Sequence, residues 1–131
     1  MKYDEFLESK RHSQKPVFTE LSFCPPQMFD FQRYLVEWAL GETRAAIFAD
    51  TGMGKTLMQL TWAENVYRIT GQYVLVLAPL VVAYQTVKEA EKFGLGGVGI
   101  SRDGYINSEI VVTNYEQLEK FNPEDFGGVV C

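Results

Sequence analysis

The stretch ADTGMGKT, residues 49–56, decides how the rest of the chain is read. It follows a short apolar run, AAIFA (45–49), of strand length, and precedes Lys55–Thr70, sixteen residues free of Gly and Pro with Leu57, Leu60, Trp62 and Tyr67 for apolar surface. A loop that cradles phosphate needs a strand to aim it and glycines to let the backbone wrap an anion. It also needs a helix N-terminus whose free N–H groups and positive dipole end face the charge. The pattern offers Gly52 and Gly54 for the wrap, within a nucleotide-binding set running Thr51, Gly52, Met53, Gly54, Lys55 and Thr56. Lys55 carries charge to the β- and γ-phosphates and is the catalytic candidate; the Thr56 hydroxyl is the expected Mg²⁺ ligand. Ala49 stands where the common pattern has Gly.

Working outward, strands alternate with helices. Phe31, Leu35, Trp38 and Ala39 fall at helical spacing within 27–40, and Gly41 is placed to end that helix in the left-handed conformation. YVLVLA (73–78) is apolar on both faces, as a covered parallel strand is, and Pro79 closes it. A helix over about 82–93, the Gly-rich connection LGGVGIS, a turn at Asp103-Gly104 and a strand EIVVT (109–113) follow. A short helix near 115–121, a turn at Asn122-Pro123 and a strand beginning in GGVVC complete the chain. This order predicts an α/β fold with three αβα layers and a mainly parallel sheet. Residues 1–24 read as a peripheral arm, ended by Pro25-Pro26, and 25–131 as the domain.

Composition bounds the rest. The 131 residues are 47% hydrophobic, ample for a core, and no run approaches a membrane span. Cys24, Cys131 and the lone His12 make no zinc cluster, and the polar start MKYDEFLESKRHS is unlike a secretory leader, so a cytoplasmic protein is expected. Twelve Lys+Arg against seventeen Asp+Glu leave a net charge of −5, which excludes nucleic-acid binding driven mainly by bulk charge.

The form AxxGxGKT in this setting resembles the first RecA-like domain of superfamily 2 helicases and Swi/Snf-type DNA translocases, over about residues 27–131. FDFQRYLVEWAL resembles the adenine-recognising Q motif: Gln32 lies 23 positions before Lys55, and a side-chain amide can pair with adenine N6 and N7 together. VLVLAPLVVAYQTVKEAEKF (74–93) looks like motif Ia and EIVVTNYEQLEKF (109–121) like motif Ib. The resemblance implies ATP and Mg²⁺ as cofactors and nucleic acid, DNA rather than RNA, as partner. It places Pro79, Leu80 and Thr113 beside the sugar-phosphate path.

In the family, FGGVVC would run into the Asp-Glu pair that positions Mg²⁺ and activates water, and this sequence has Cys131 as its last residue. The resemblance therefore implies an incomplete RecA-like P-loop domain, non-catalytic alone, which needs a C-terminal remainder including a second RecA-like domain. Two other readings stand beside it. A small P-loop kinase would need an arginine-rich lid, yet only Arg102 follows Arg68. A non-catalytic nucleotide-binding module would complete its sheet with strands from elsewhere.

Overall fold

The computed structural model describes residues 21–42, 44–45 and 54–131. Apart from Ala45, the strand expected at 45–49 lies outside the described residues, as do Thr51, Gly52 and Met53 of the loop. Of the arm expected at 1–24, residues 21–24 are described; Leu21 and Phe23 pack on the domain's apolar clusters.

The elements run α1 (Asp30–Leu40), α2 (Lys55–Thr70), β1 (Tyr73–Leu77), α3 (Leu80–Lys92), β2 (Val98–Ile100), β3 (Ile110–Thr113) and β4 (Phe126–Val130). Two 3-10 helices, Tyr115–Lys120 and Pro123–Asp125, lie between β3 and β4. The four strands form one parallel sheet in the order β2-β3-β1-β4. The α/β class and parallel sheet are thus as expected. The inner strands β1 and β3 are the β-branched, apolar runs of the sequence, and all of Val74–Leu77 and Ile110–Thr113 is buried. Each such Val, Leu or Ile side chain stabilises the fold by about 1.5–3 kcal/mol relative to exposure.

The two faces are unequal. Val74, Val76, Ile110 and Val112 point into the main core with Val36 and Leu40 of α1, Met58, Ala63 and Val66 of α2, and Ala83 of α3. Leu75, Leu77 and Val111 point the other way, where Phe121, Ile106 and Phe126 cover them. Among the described residues no α-helix covers this second face, so the αβα arrangement is incomplete. The helix expected near 115–121 is a 3-10 helix over Tyr115–Lys120: none of its residues is buried and only Phe121, just after it, joins the apolar cluster, so no apolar stripe holds a full α-helix there.

Two further expectations shift. The side of α1 that is buried holds Gln32, Val36, Ala39 and Leu40, while Phe31 and Trp38 remain 44% and 43% exposed. The face is rotated by one residue because the Gln32 amide is engaged at the helix start, as described below. Gly41 is not left-handed (φ −76°): its N–H is shared between the carbonyls of Glu37 and Trp38, both at 3.1 Å, a tightened last turn. By contrast, the glycines of β4 are needed for close approach. A Cβ on Gly128 would stand 2.7 Å from Cη2 of Trp62, so α2 lies directly on this strand.

The Asp103-Gly104 turn is set by charge as well as by glycine. Asp103 Oδ1 accepts from the Tyr105 N–H and the Ser101 hydroxyl, each at 3.1 Å, and these bonds hold its carboxyl below the usual carboxylate range. A lowered folded pKa gives stability that is complete above the unfolded value, near pH 4, and is lost as pH falls through the folded one. Urea melts should show an Asp103→Asn variant with a small, constant deficit at neutral pH that closes in acid. A deficit unchanged down to the acid limit would contradict this assignment.

Candidate nucleotide site and nucleic-acid face

The start of α2 carries the described part of the stretch expected to bind phosphate. Gly54 is its N-cap residue in the left-handed conformation (φ +71°, ψ 42°), a region that costs other residues about 1–2 kcal/mol. Its carbonyl takes the first helical bond, from Met58 N–H at 3.1 Å. Among the described residues no side chain caps this terminus, and its first turn has no acidic residue, so the positive end of a sixteen-residue helix keeps free N–H groups suited to an anion. Lys55 is exposed and Thr56 half-buried at that end.

Gln32 reaches this turn from α1. It is 4% exposed, and its Oε1 accepts from the Phe29 N–H at 2.8 Å, closing the N-terminus of its own helix. Its Nε2 lies so close to Gly54 that any Cβ there would overlap it. Gln32 and Gly54, expected from the sequence to serve adenine and phosphate, are therefore in direct contact. A cleft of about 620 Å³ opens beside them, lined by Phe29, Gln32, Gly54, Lys55, Thr56 and Lys92. A second cleft, about 580 Å³, lies on the other side of Lys55 between Trp62 and the Gly127–Cys131 end of β4. Lys55 borders both clefts.

A residue that sequence reasoning passed over positions the first cleft. Asn65, wholly buried in α2, accepts at Oδ1 from the N–H groups of Ser22 (2.6 Å) and Phe23 (3.0 Å). Its Nδ2 donates to the carbonyls of Phe23 (2.8 Å) and Thr61 (2.7 Å). This amide pins the segment leading into Pro25-Pro26 and α1. Arg68 adds its guanidinium, 4.8 Å above the Phe23 ring, while bonding Glu64 at 2.9 Å.

At the C-terminal ends of the inner strands, Pro79 is the exposed N-cap of α3 and Leu80, half-buried, is its first residue. Thr113 pairs with Leu77 across the sheet and its carbonyl accepts from Ala78 N–H at 3.0 Å. The structure thus brings Pro79, Leu80 and Thr113 to one sheet edge. Thr113 itself is only 1% exposed. Among the described residues, no helix is long and apolar enough to cross a membrane.

The parallel sheet, the helix started at Gly54 and Gln32 against that glycine fit the ATP-binding domain of a superfamily 2 helicase, the class that the family match shows. The chain matches the family described as type III restriction enzyme, res subunit, over residues 20–127, and it belongs to that family of helicase-related ATPase domains. Among curated proteins, no match is found.

Proposed function

We propose that this chain binds Mg·ATP at the start of α2 as the nucleotide-binding portion of a motor that moves on nucleic acid, DNA rather than RNA. The observation that carries the reading is the contact of Gln32 with Gly54 at the mouth of a cleft that Lys55 and Thr56 also line. The donors at the start of α2 suit a triphosphate: helix N–H groups, the Lys55 ammonium and the Thr56 hydroxyl, in a turn where a Cβ has no room. Lys55 and the α2 N–H groups, with Thr51–Met53, hold the phosphates; Thr56 offers its hydroxyl to Mg²⁺; Gln32 faces the adenine. Bound Mg²⁺ supplies charge neutralisation at the phosphates.

The same reading expects these 131 residues by themselves to bind ATP without turning it over. Hydrolysis by this class of site uses a carboxylate at a strand end. Among the described residues, β1 runs into Ala78-Pro79 and β3 into Asn114, neither of them a carboxylate. The nucleic-acid path is assigned to Pro79, Leu80 and Thr113, with contacts from backbone and hydroxyl groups that suit an acidic chain. Titration with a fluorescent ATP analogue tests the site: Lys55→Ala should weaken binding about 30-fold or more, the loss of charge-assisted bonds to phosphate. Equal binding by the variant would refute the nucleotide reading. Rapid, DNA-stimulated phosphate release by the wild-type chain would refute the absence of turnover.

A further inference from the structure

The apolar arc of α1 is wider than the face it buries. Val36, Ala39 and Leu40 enter the core, yet Phe31, Tyr34 and Trp38 stay outside it, 44%, 69% and 43% exposed. Their spacing of three and then four residues sets them in one stripe along the helix, the period of a helix–helix seam. Phe29, the N-cap residue, is 67% exposed and extends the stripe: its ring stacks on Phe31 with centroids 6.1 Å apart and planes 15° from parallel. Single exposed apolar side chains are ordinary, whereas a contiguous aromatic strip marks an interaction surface. Arg33 and Glu37, one turn apart and joined at 3.0 Å, flank it with both side chains partly in solvent.

We propose that this stripe is the interface of a two-fold dimer in which α1 packs antiparallel against α1 of a second copy. Area and charge choose that occupant. An aromatic side chain carries about 150–250 Å², so four that are roughly half exposed offer about 450 Å² per copy. Used twice by symmetry, with the stems of Arg33 and Glu37 beside it, the stripe buries about 1,000 Å². That is near the lower limit of a specific contact, so the dimer is a weak one. Charge sets the direction. With the helices antiparallel and centred near Leu35, Phe31 lies by the second copy's Trp38, and Arg33 lies by the second copy's Glu37. The two-fold axis repeats each pairing. Parallel helices would set Arg33 against Arg33 and Glu37 against Glu37, so like charges oppose that arrangement. The seam makes no use of the nucleotide cleft and stands apart from the proposed motor activity.

Sedimentation velocity of the full chain, from micromolar to a few hundred micromolar, tests the seam. The mass should double with a dissociation constant in the tens of micromolar. Tyr34→Arg, at the most exposed position of the helix stripe, should weaken the dimer at least tenfold and leave the melting temperature of the dilute chain unchanged. Arg33→Glu and Glu37→Arg should each be monomeric alone, because like charges then meet across the axis. An equimolar mixture of the two should regain the double mass. A wild-type chain that stays monomeric, a dimer that Tyr34→Arg leaves intact, or a mixture no heavier than its parts would each overturn the proposal. So would masses that keep climbing with concentration, the sign of indiscriminate apolar association. A monomeric wild type whose melting temperature drops in Tyr34→Arg would give the stripe to residues 1–20 of the same chain, and would overturn the dimer as well.

Discussion

Asn65→Leu should lower the stability of the domain by about 3 kcal/mol, roughly 10 °C in melting temperature for a domain of this size. Leucine fills the volume of the amide but leaves the N–H groups of Ser22 and Phe23 and the Phe23 carbonyl without their partner. Each such group costs about 1–3 kcal/mol when buried, and less here because the 22–23 segment keeps some solvent. The loss is larger than for an ordinary core substitution of equal volume, since one side chain serves a segment more than forty residues away in sequence. Asn65→Asp keeps the two acceptor bonds but sets a carboxylate oxygen against the Phe23 and Thr61 carbonyls, so at neutral pH its melting temperature should fall at least as far as that of Asn65→Leu. The freed segment leads into α1, so ATP-analogue affinity should fall alongside stability. A loss below about 1 kcal/mol in Asn65→Leu would show that the segment is held by Phe23 packing instead.

The same residue shows where the sequence ceased to be legible. Asn65 sits in a helix that is recognisable from its freedom from Gly and Pro, and nothing in its neighbours announces that its partners are Ser22 and Phe23. Side-chain contacts across such a separation leave no periodic trace. Strands β1 and β3 were legible because burial on both faces demands continuous apolar runs, a local property of the chain. The placement of β4 beside β1 was not, since strand order follows from packing of crossover helices rather than from any one segment. For α1 the helical period was readable but the buried face was displaced by one position. Hydropathy assigns Gln32 to solvent, yet the amide is drawn inward by the Phe29 N–H and the space that Gly54 leaves. The 3-10 geometry of 115–120 was likewise invisible, because its composition suits an α-helix and only the thin apolar layer beneath it decides otherwise.

Gly54→Ala should weaken nucleotide binding and destabilise the fold together, for a reason distinct from Lys55→Ala. Lys55 is exposed, so its removal takes charge from the site and leaves the fold as it is. Gly54 is constrained twice. Its φ of +71° costs an alanine about 1–2 kcal/mol, and the new Cβ meets Gln32 Nε2. That side chain has little freedom to retreat, being buried and bonded to the Phe29 N–H at 2.8 Å. The turn must therefore give way, and the helix N–H groups lose their aim at the phosphates. We expect a stability loss of about 2–3 kcal/mol and ATP-analogue binding at least tenfold weaker. The collision predicts its own remedy. In Gly54→Ala/Gln32→Ala the obstructing amide is gone, so the double variant should be more stable than the sum of the single losses, by about 1 kcal/mol. Denaturant titrations of all four chains measure that coupling directly. Strict additivity would mean that the backbone conformation alone requires the glycine and that Gln32 is a bystander. Restored stability without restored ATP-analogue binding is the outcome that separates packing from recognition, for it leaves Gln32 necessary to the nucleotide even where the phosphate turn has been given room.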